Sequence, residues 1–468
     1  MRFEPLKKLK QLPLRKHWLV FGAVCAAAYL FFAHTDIVEI ASHSYVFVDS
    51  IFKGRVFDYY SYVAEHPFGT ELYYINVANY NITTYAVFGV ALLPVYLFNM
   101  IFGTYSEPVF YFVCKLVSAG FFVGCAVLVR KIALELKLDE RAADFSALFF
   151  ALSPVAFFSS MMMAQYDCVP LFFALLGLLY WLRGDLTRCL FWMGLGAACK
   201  FFVLFLVVPL VLLKEKRILH IIKNGLISLW LIVPTTLLYL GRTGNSSDFN
   251  LIMINRLFEI KLPAVEDVSL FVTLYLILCV LAFLWVPEKE NENRAGLWTC
   301  LAGMALFALF VNWHPQWLIM LVPFIVLSTM LEHGRTVWWW LDIALAAGFF
   351  LMCFVRYPVE GNLFDFGIMG AAFDIRVSDS ALYQSVSTLF HQFIFRSVGP
   401  VLLCGALLCN IVLKFPAKSG TPASRLSVLG DETPAKLLPL YAWGIFVAGI
   451  LVWLAPTLMA WLPYAFLV

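Results

Sequence analysis

Two carboxylates and three potential cations stand out in this chain because their surroundings are apolar. Asp36 lies three residues past a long apolar run, in HTDIVEIASHSYVFVD, and Glu39 follows three residues later, so on a helix the two share a face. A carboxylate placed there suits a general base acting on a bound hydroxyl, or else is a helix-boundary acid facing water. Gln165-Tyr166-Asp167 interrupts SSMMMAQYDCVPLFF, where Asp167 needs a partner or a task, unless it only caps the next helix. Lys115 and Lys200 sit inside apolar runs. Either ammonium can hold a phosphate as a compact point charge, or snorkel to the surface, which suits Lys115 better than Lys200 with its apolar neighbours on both sides. His314, within NWHPQW at 312–317, can donate to a phosphate, relay a proton or belong to an aromatic belt. Arg356, Arg376 and Arg396 are further phosphate candidates, and the Asn81 and Asn245 sequons carry no inference by themselves.

The elements that hold these residues are membrane helices. Of 468 residues 62% are hydrophobic and only 13% charged, about half the charged share of a soluble protein. That excess runs along the whole chain and suffices for roughly a dozen crossings at about 20 residues each. The expected fold is all-α: a polytopic integral membrane protein of about thirteen transmembrane helices. A net charge of +3 gives no reason to expect nucleic acid, and the 11 cysteines show no CxxC or metal-ligand spacing.

Basic residues orient the chain. Six Lys and Arg lie within residues 1–17, so that segment is expected in the cytoplasm, and the first run, 18–33, has no cleavage site and reads as a retained span. Later basic turns, around Arg130, Arg183, Lys214, Arg294 and Lys414, belong on the same side. Residues 84–102 look long enough to span, but a crossing there would put Arg130 and Lys131 outside. They are therefore expected to form an interfacial or re-entrant helix within a first outer loop, 34–107. Two short runs, 187–199 and 201–214, share one apolar block with basic residues at both ends, which fits half-length helices bent at Lys200. The chain then divides into a cytoplasmic 1–17, a transmembrane module 18–331 and C-terminal helices 332–468 with an outer loop at 356–394. All the polar candidates fall on the outer side. Carboxylates and cations gathered there suit a reaction on a lipid-linked phosphate, with cations holding the leaving group and a carboxylate activating the acceptor.

Three stretches resemble the type-C (GT-C) membrane glycosyltransferase superfamily, in its bacterial, multi-span, polyprenyl-phosphate-sugar-dependent form. They are 161–216, with Gln165-Tyr166-Asp167, the Arg183–Arg188 turn, Gly194, Gly196 and Lys200; 312–324, NWHPQWLIMLVPF; and 35–60, the first outer loop with its acid. The mannosyltransferases of glycolipid-anchor synthesis are similar at greater distance. The motifs cover about a quarter of the chain, and the order of spans extends the likeness over its first two-thirds. The resemblance implies a GT-C-like fold and an inverting hexosyltransferase that takes sugar from a polyprenyl-phosphate donor on the non-cytoplasmic side of the plasma membrane. It assigns catalysis to Asp36 and Asp167, the donor phosphate to Lys200, His314 and Lys115, and supporting roles to Glu39, Gln165, Tyr166 and Gln316. The acceptor is a lipid-linked or surface glycan. Asp36 lacks the adjacent acid common in the family, which favours a reaction with no metal. A flippase or transporter, or a polymerase of lipid-linked oligosaccharides, is the alternative. The first would favour internal repeats and a midplane cavity, the second a larger late outer loop.

Overall fold

The computed structural model describes residues 14–66, 78–104, 107–240, 254–262, 267–332, 336–356, 393–417 and 437–465, with a few isolated positions between 357 and 392. Among them the chain is helical, with one isolated β-bridge, Lys261 to Ser269. The helices are α1 (Leu14–Phe31), α2 (Thr35–Phe52), α3 (Tyr59–Glu65), α4 (Ile82–Phe102), α5 (Glu107–Glu135), α6 (Glu140–Ala151), α7 (Pro154–Phe157), α8 (Cys168–Leu182) and α9 (Leu186–Cys199). They continue as α10 (Leu204–Lys214), α11 (Ile218–Ser228), α12 (Ile232–Leu238), α13 (Leu270–Leu284), α14 (Glu292–Phe310), α15 (Val322–Leu331), α16 (Thr336–Arg356), α17 (Phe393–Leu413) and α18 (Leu438–Ala465).

This is the expected all-α, polytopic membrane protein, but its helices are more broken than the apolar runs suggested. Three described helices, Ile82–Phe102, Val109–Glu135 and Glu292–Phe310, are long and apolar enough to cross alone, and three bent pairs raise the number to six. The other apolar helices have 10–17 described residues, so the count of thirteen spans is not reached on this measure. The shortening has local causes. Pro154 starts a new helix after a 54° bend from α6, and a π-type turn over Phe158–Met162 follows it.

Ion pairs gather the basic turns at one end of the bundle. Arg183 after α8 pairs with Glu135 of α5 at 2.6 Å, and Lys214 of α10 with Glu292 of α14 at 2.8 Å. Lys216 donates to the carbonyls of Ala282 and Trp285 at 2.8 and 3.1 Å, where α13 ends. Lys414, just past α17, donates to the hydroxyls of Ser328 and Thr329 on α15. The opposite end of the bundle holds His34, Asp36, Gln165, Asp167, Lys200 and His314.

This polarity explains α4. Its first turn is tied to the site end by Thr84 Oγ1, which donates to Cys199 O at 3.3 Å. Its last residue is separated by four residues from α5, which begins at the site end, about 12 Å before Lys115, and runs about 30 Å from there to Glu135. Both ends of α4 therefore lie on the site's side, although its length and hydropathy qualify it as a span. It packs along α2 through Tyr96 to Asp49 at 2.8 Å and Asn99 to Tyr45 at 3.4 Å.

Glycines allow the close approach of α8, α9 and α11. A Cβ on Gly196 would lie 3.0 Å from Pro170 O, and one on Gly194 would lie 2.7 Å from Ser228 O. The packing brings the C-terminal end of α9, and hence Lys200, against the N-terminal end of α8 beside Asp167.

Candidate active site

The first carboxylate is built at a sharp corner. α1 stops at Phe31, and α2 leaves it at 77°. A neutral His34 caps α2, its Nδ1 accepting from Asp36 N at 3.1 Å, whereas the protonated ring donates from that nitrogen to the Asp36 carboxylate instead. Asp36 occupies the first turn, where the helix dipole favours an anion. Asp36 Oδ1 lies 3.2 Å from His34 Nδ1, and the side-chain amide of Gln165 donates to Asp36 Oδ2 at 2.8 Å. A residue 129 positions away thus fixes the carboxylate that the sequence singled out. Asp36 keeps a quarter of its side chain exposed. Burial would push its carboxyl up, but His34 and Gln165 outweigh that and hold it at about 2. The His34 imidazole is raised in turn: burial lowers it, and Asp36 more than offsets this. Glu39 lies one turn further along α2, within electrostatic reach of His34.

Lys115 is not brought to this cluster. Its ammonium donates to the carbonyls of Tyr29 and Phe32, the last turn of α1 and the start of the corner, and lies 4.7 Å from the Tyr29 ring centroid. It caps a helix end and fixes the corner that presents Asp36. Lys115→Met is therefore expected to leave two carbonyls unsatisfied, costing about 1–3 kcal/mol. The check is a lowered thermal unfolding midpoint of the purified protein in detergent. A phosphate-binding lysine would instead weaken donor binding at an unchanged midpoint.

Asp167 and Lys200 form a buried ion pair, with side chains 0% and 9% exposed. Burial pushes the carboxyl up and the ammonium down, and their mutual attraction opposes both shifts. Asp167 makes no side-chain cap to α8, so its partner is Lys200 and not the helix N-terminus. The backbone is shaped for this contact: α9 ends at Cys199 and Lys200 is extended (φ −156°, ψ 116°), as the expected bend requires. Lys200 Nζ lies over the rings of Tyr166 at 4.8 Å and Trp317 at 5.2 Å. Ala164, one residue before Gln165, sits at φ 53°, a left-handed conformation that costs a non-glycine residue about 1–2 kcal/mol. Ser118 Oγ holds its carbonyl at 3.2 Å.

The 312–317 turn closes the site. Ser159 Oγ donates to Gln316 O at 3.0 Å and ties the turn to the π-type turn. Gln165, Asp167 and Gln316 each keep one buried side-chain oxygen with no partner. His314 lies edge-on to Trp317 at 5.0 Å and in electrostatic reach of Asp36, Lys200 and Arg256. Burial, with Arg256 beside it, lowers its imidazole to about 4. At neutral pH His314 is thus a neutral hydrogen-bond donor and not a cation.

Two residues escaped the sequence reading. His34 has no assigned role in the sequence reading, although its HxD spacing from Asp36 is visible there. Arg256 lies in a polar loop with no local signal, and only the fold stacks its guanidinium 5.4 Å from the Trp317 ring, on the same indole that Lys200 approaches. The Asn81 amide is used structurally: it caps α4 and donates to Thr235 Oγ1 at 2.9 Å. The side chains of Arg356, Arg376 and Arg396 and the Asn245 sequon lie outside the described residues, as does most of loop 356–394. Among the described residues no group of three or more His, Cys, Asp or Glu is placed to hold a metal.

No family model matches the chain, and no curated protein matches it. Two solved structures are similar to it. ArnT from Cupriavidus metallidurans, bound to undecaprenyl phosphate, aligns over 94% of this chain and 77% of its own, at 15% identity and a TM-score of 0.48. The same protein in the apo state aligns over 85% of this chain and 76% of its own, at 15% identity and a TM-score of 0.40. At this level the similarity is one of helix course, and the chemistry rests on the residues above.

Proposed function

We propose that this protein is a membrane glycosyltransferase moving a sugar from a polyprenyl-phosphate carrier to a glycan or glycolipid acceptor at the non-cytoplasmic face. The observation that carries the reading is the pairing of a partly exposed, ionised Asp36 with a cationic side of the same site, made by Lys200 and Arg256 around Trp317. The acceptor hydroxyl attacks the anomeric carbon, the bond from that carbon to the phosphate oxygen breaks, and polyprenyl phosphate departs with the electron pair. Arg256 and Lys200 stabilise the growing phosphate charge, and His314 donates a hydrogen bond to it.

Asp36 takes the proton. A carboxylic acid at about 2 makes a weak base. That is sufficient here, because an oxocarbenium-like anomeric centre accepts the oxygen before the proton leaves it, and the resulting oxonium is strongly acidic. Attack opposite the departing phosphate inverts the anomeric centre.

Transfer of radiolabelled sugar from polyprenyl-phosphate donors by the purified protein in lipid tests the reading, and carrier movement across the bilayer without transfer would overturn it. A pH profile tests the base. The depressed Asp36 pKa contributes stability that is present above the ordinary value of 3.8 and lost as pH falls through about 2. The raised His34 contributes below its ordinary 6.5 and is lost as pH rises through its folded value. His34→Asn keeps an oxygen that can cap α2 but removes the imidazolium, leaving burial to raise Asp36. The acid limb of the transfer rate is expected to move up by about two pH units or more. An unmoved limb would show that Asp36 does not set it.

A further inference from the structure

At the basic end of the bundle, far from the site above, helices α13, α14 and α17 leave an apolar groove of about 130 Å³ between Leu278, Leu281, Trp285, Trp298 and Phe415. Its walls are aromatic and ordered: Phe415 stacks on Trp285 at 5.2 Å and meets Trp298 edge-on at 4.9 Å, while Trp298 Nε1 donates to Ile411 O at 2.8 Å. Trp298 also borders a second, smaller cleft of about 20 Å³ lined by Arg294, Ser328, Glu332 and Lys414. An apolar slot therefore lies beside a charged one, with the Trp298 indole lining both.

The charges in the small cleft are unequally engaged. Lys414 is buried and spends its ammonium on Ser328 and Thr329. Lys214 and Lys216 nearby are held by Glu292 and by backbone carbonyls. Arg294 has no ion pair or hydrogen bond among the described residues and is only partly buried. Lys414 also faces the carboxylates of Asp342 and Glu332, which balance its charge, so Arg294 is the cation left for a ligand. Outside the groove Leu284 and Val286 are 70% and 76% exposed, as side chains facing lipid are.

We propose that this groove binds one anionic phospholipid of the cytoplasmic leaflet, with an acyl chain against Trp285, Trp298 and Phe415 and the phosphate on Arg294. A basic recess between membrane helices, bordered by aromatic residues at the level of the headgroups, has the chemistry of a lipid headgroup site. The unpaired Arg294 favours an anionic headgroup over a zwitterionic one, whose own cation it would repel, and the apolar slot selects a lipid over a free phosphate.

Native mass spectrometry of the full chain, released from detergent after mixing with equal amounts of phosphatidylglycerol and phosphatidylcholine, tests this. The wild type is expected to retain one phosphatidylglycerol in preference to phosphatidylcholine. Arg294→Gln is expected to lower that preference about fivefold, the worth of one basic residue at a membrane surface, while Arg294→Lys keeps it. Lys131→Gln, an exposed charge elsewhere, leaves it unchanged. Phe415→Ala opens the groove without altering charge and is expected to reduce retention of both lipids. Equal retention of the two lipids by the wild type, or an unaltered preference in Arg294→Gln, overturns the proposal. If Arg294→Gln does not fold, full retention by Phe415→Ala overturns it alone.

Discussion

Asp36→Asn is expected to reduce sugar transfer by about 10²–10⁴-fold while donor binding is retained. The substitution is nearly isosteric, and asparagine still offers an oxygen to the Gln165 amide that donates to Asp36 Oδ2 at 2.8 Å. It also suits the first turn of a helix. The corner between α1 and α2 is held independently by Lys115 on the carbonyls of Tyr29 and Phe32, so the fold should survive. What is lost is the group that accepts the oxonium proton, together with a negative charge facing the developing cation at the anomeric carbon. A donor-binding measurement beside the rate separates the two roles: a loss in turnover at unchanged donor affinity marks the base. Weakened donor binding at unchanged turnover would remove Asp36 from the chemistry and assign it to the architecture of the site.

Lys200→Met is expected to destabilise the protein by roughly 3–5 kcal/mol, besides abolishing transfer. The stability loss arises because Asp167 is fully buried and its pair is Lys200; its second oxygen already lacks a partner. Removing the cation strands a carboxylate away from water. The double variant Lys200→Met with Asp167→Leu removes both charges and should recover most of the thermal midpoint, because replacing a whole buried pair by apolar groups is close to neutral. Transfer should stay lost in the double variant, since the ammonium proposed to hold the donor phosphate is still absent. If the double variant regains transfer, Lys200 serves only to neutralise Asp167, and the phosphate would rest on Arg256 and His314. If it regains neither midpoint nor transfer, the pair is required to hold α8 against α9.

Much of the fold was legible in the sequence because a bilayer imposes strong local rules. Apolar runs must be helices, since no other open structure satisfies its own backbone in lipid, and Lys and Arg mark one side. The charge argument for 84–102 asks for a helix that stays on one side; both ends of α4 lie toward the site, while its length and hydropathy are those of a span. The bend at Lys200 was legible because an apolar block flanked by basic residues at both ends has few ways to fold. Asp36, Asp167, Lys200 and His314 were identified because an ionisable group in an apolar setting is conspicuous by type alone.

The tertiary structure decided their partners and tasks. It placed Gln165 on Asp36, closed Asp167 on Lys200, withdrew Lys115 to the end of α1, and brought Arg256 to Trp317 from a loop without any local signal. It also broke helices that hydropathy read as continuous. Hydropathy and charge act along the chain, residue by residue, and so can be read from order alone. The distance between two side chains depends on where separate helices pack, and an ion pair or a burial shift exists only once that packing has been made.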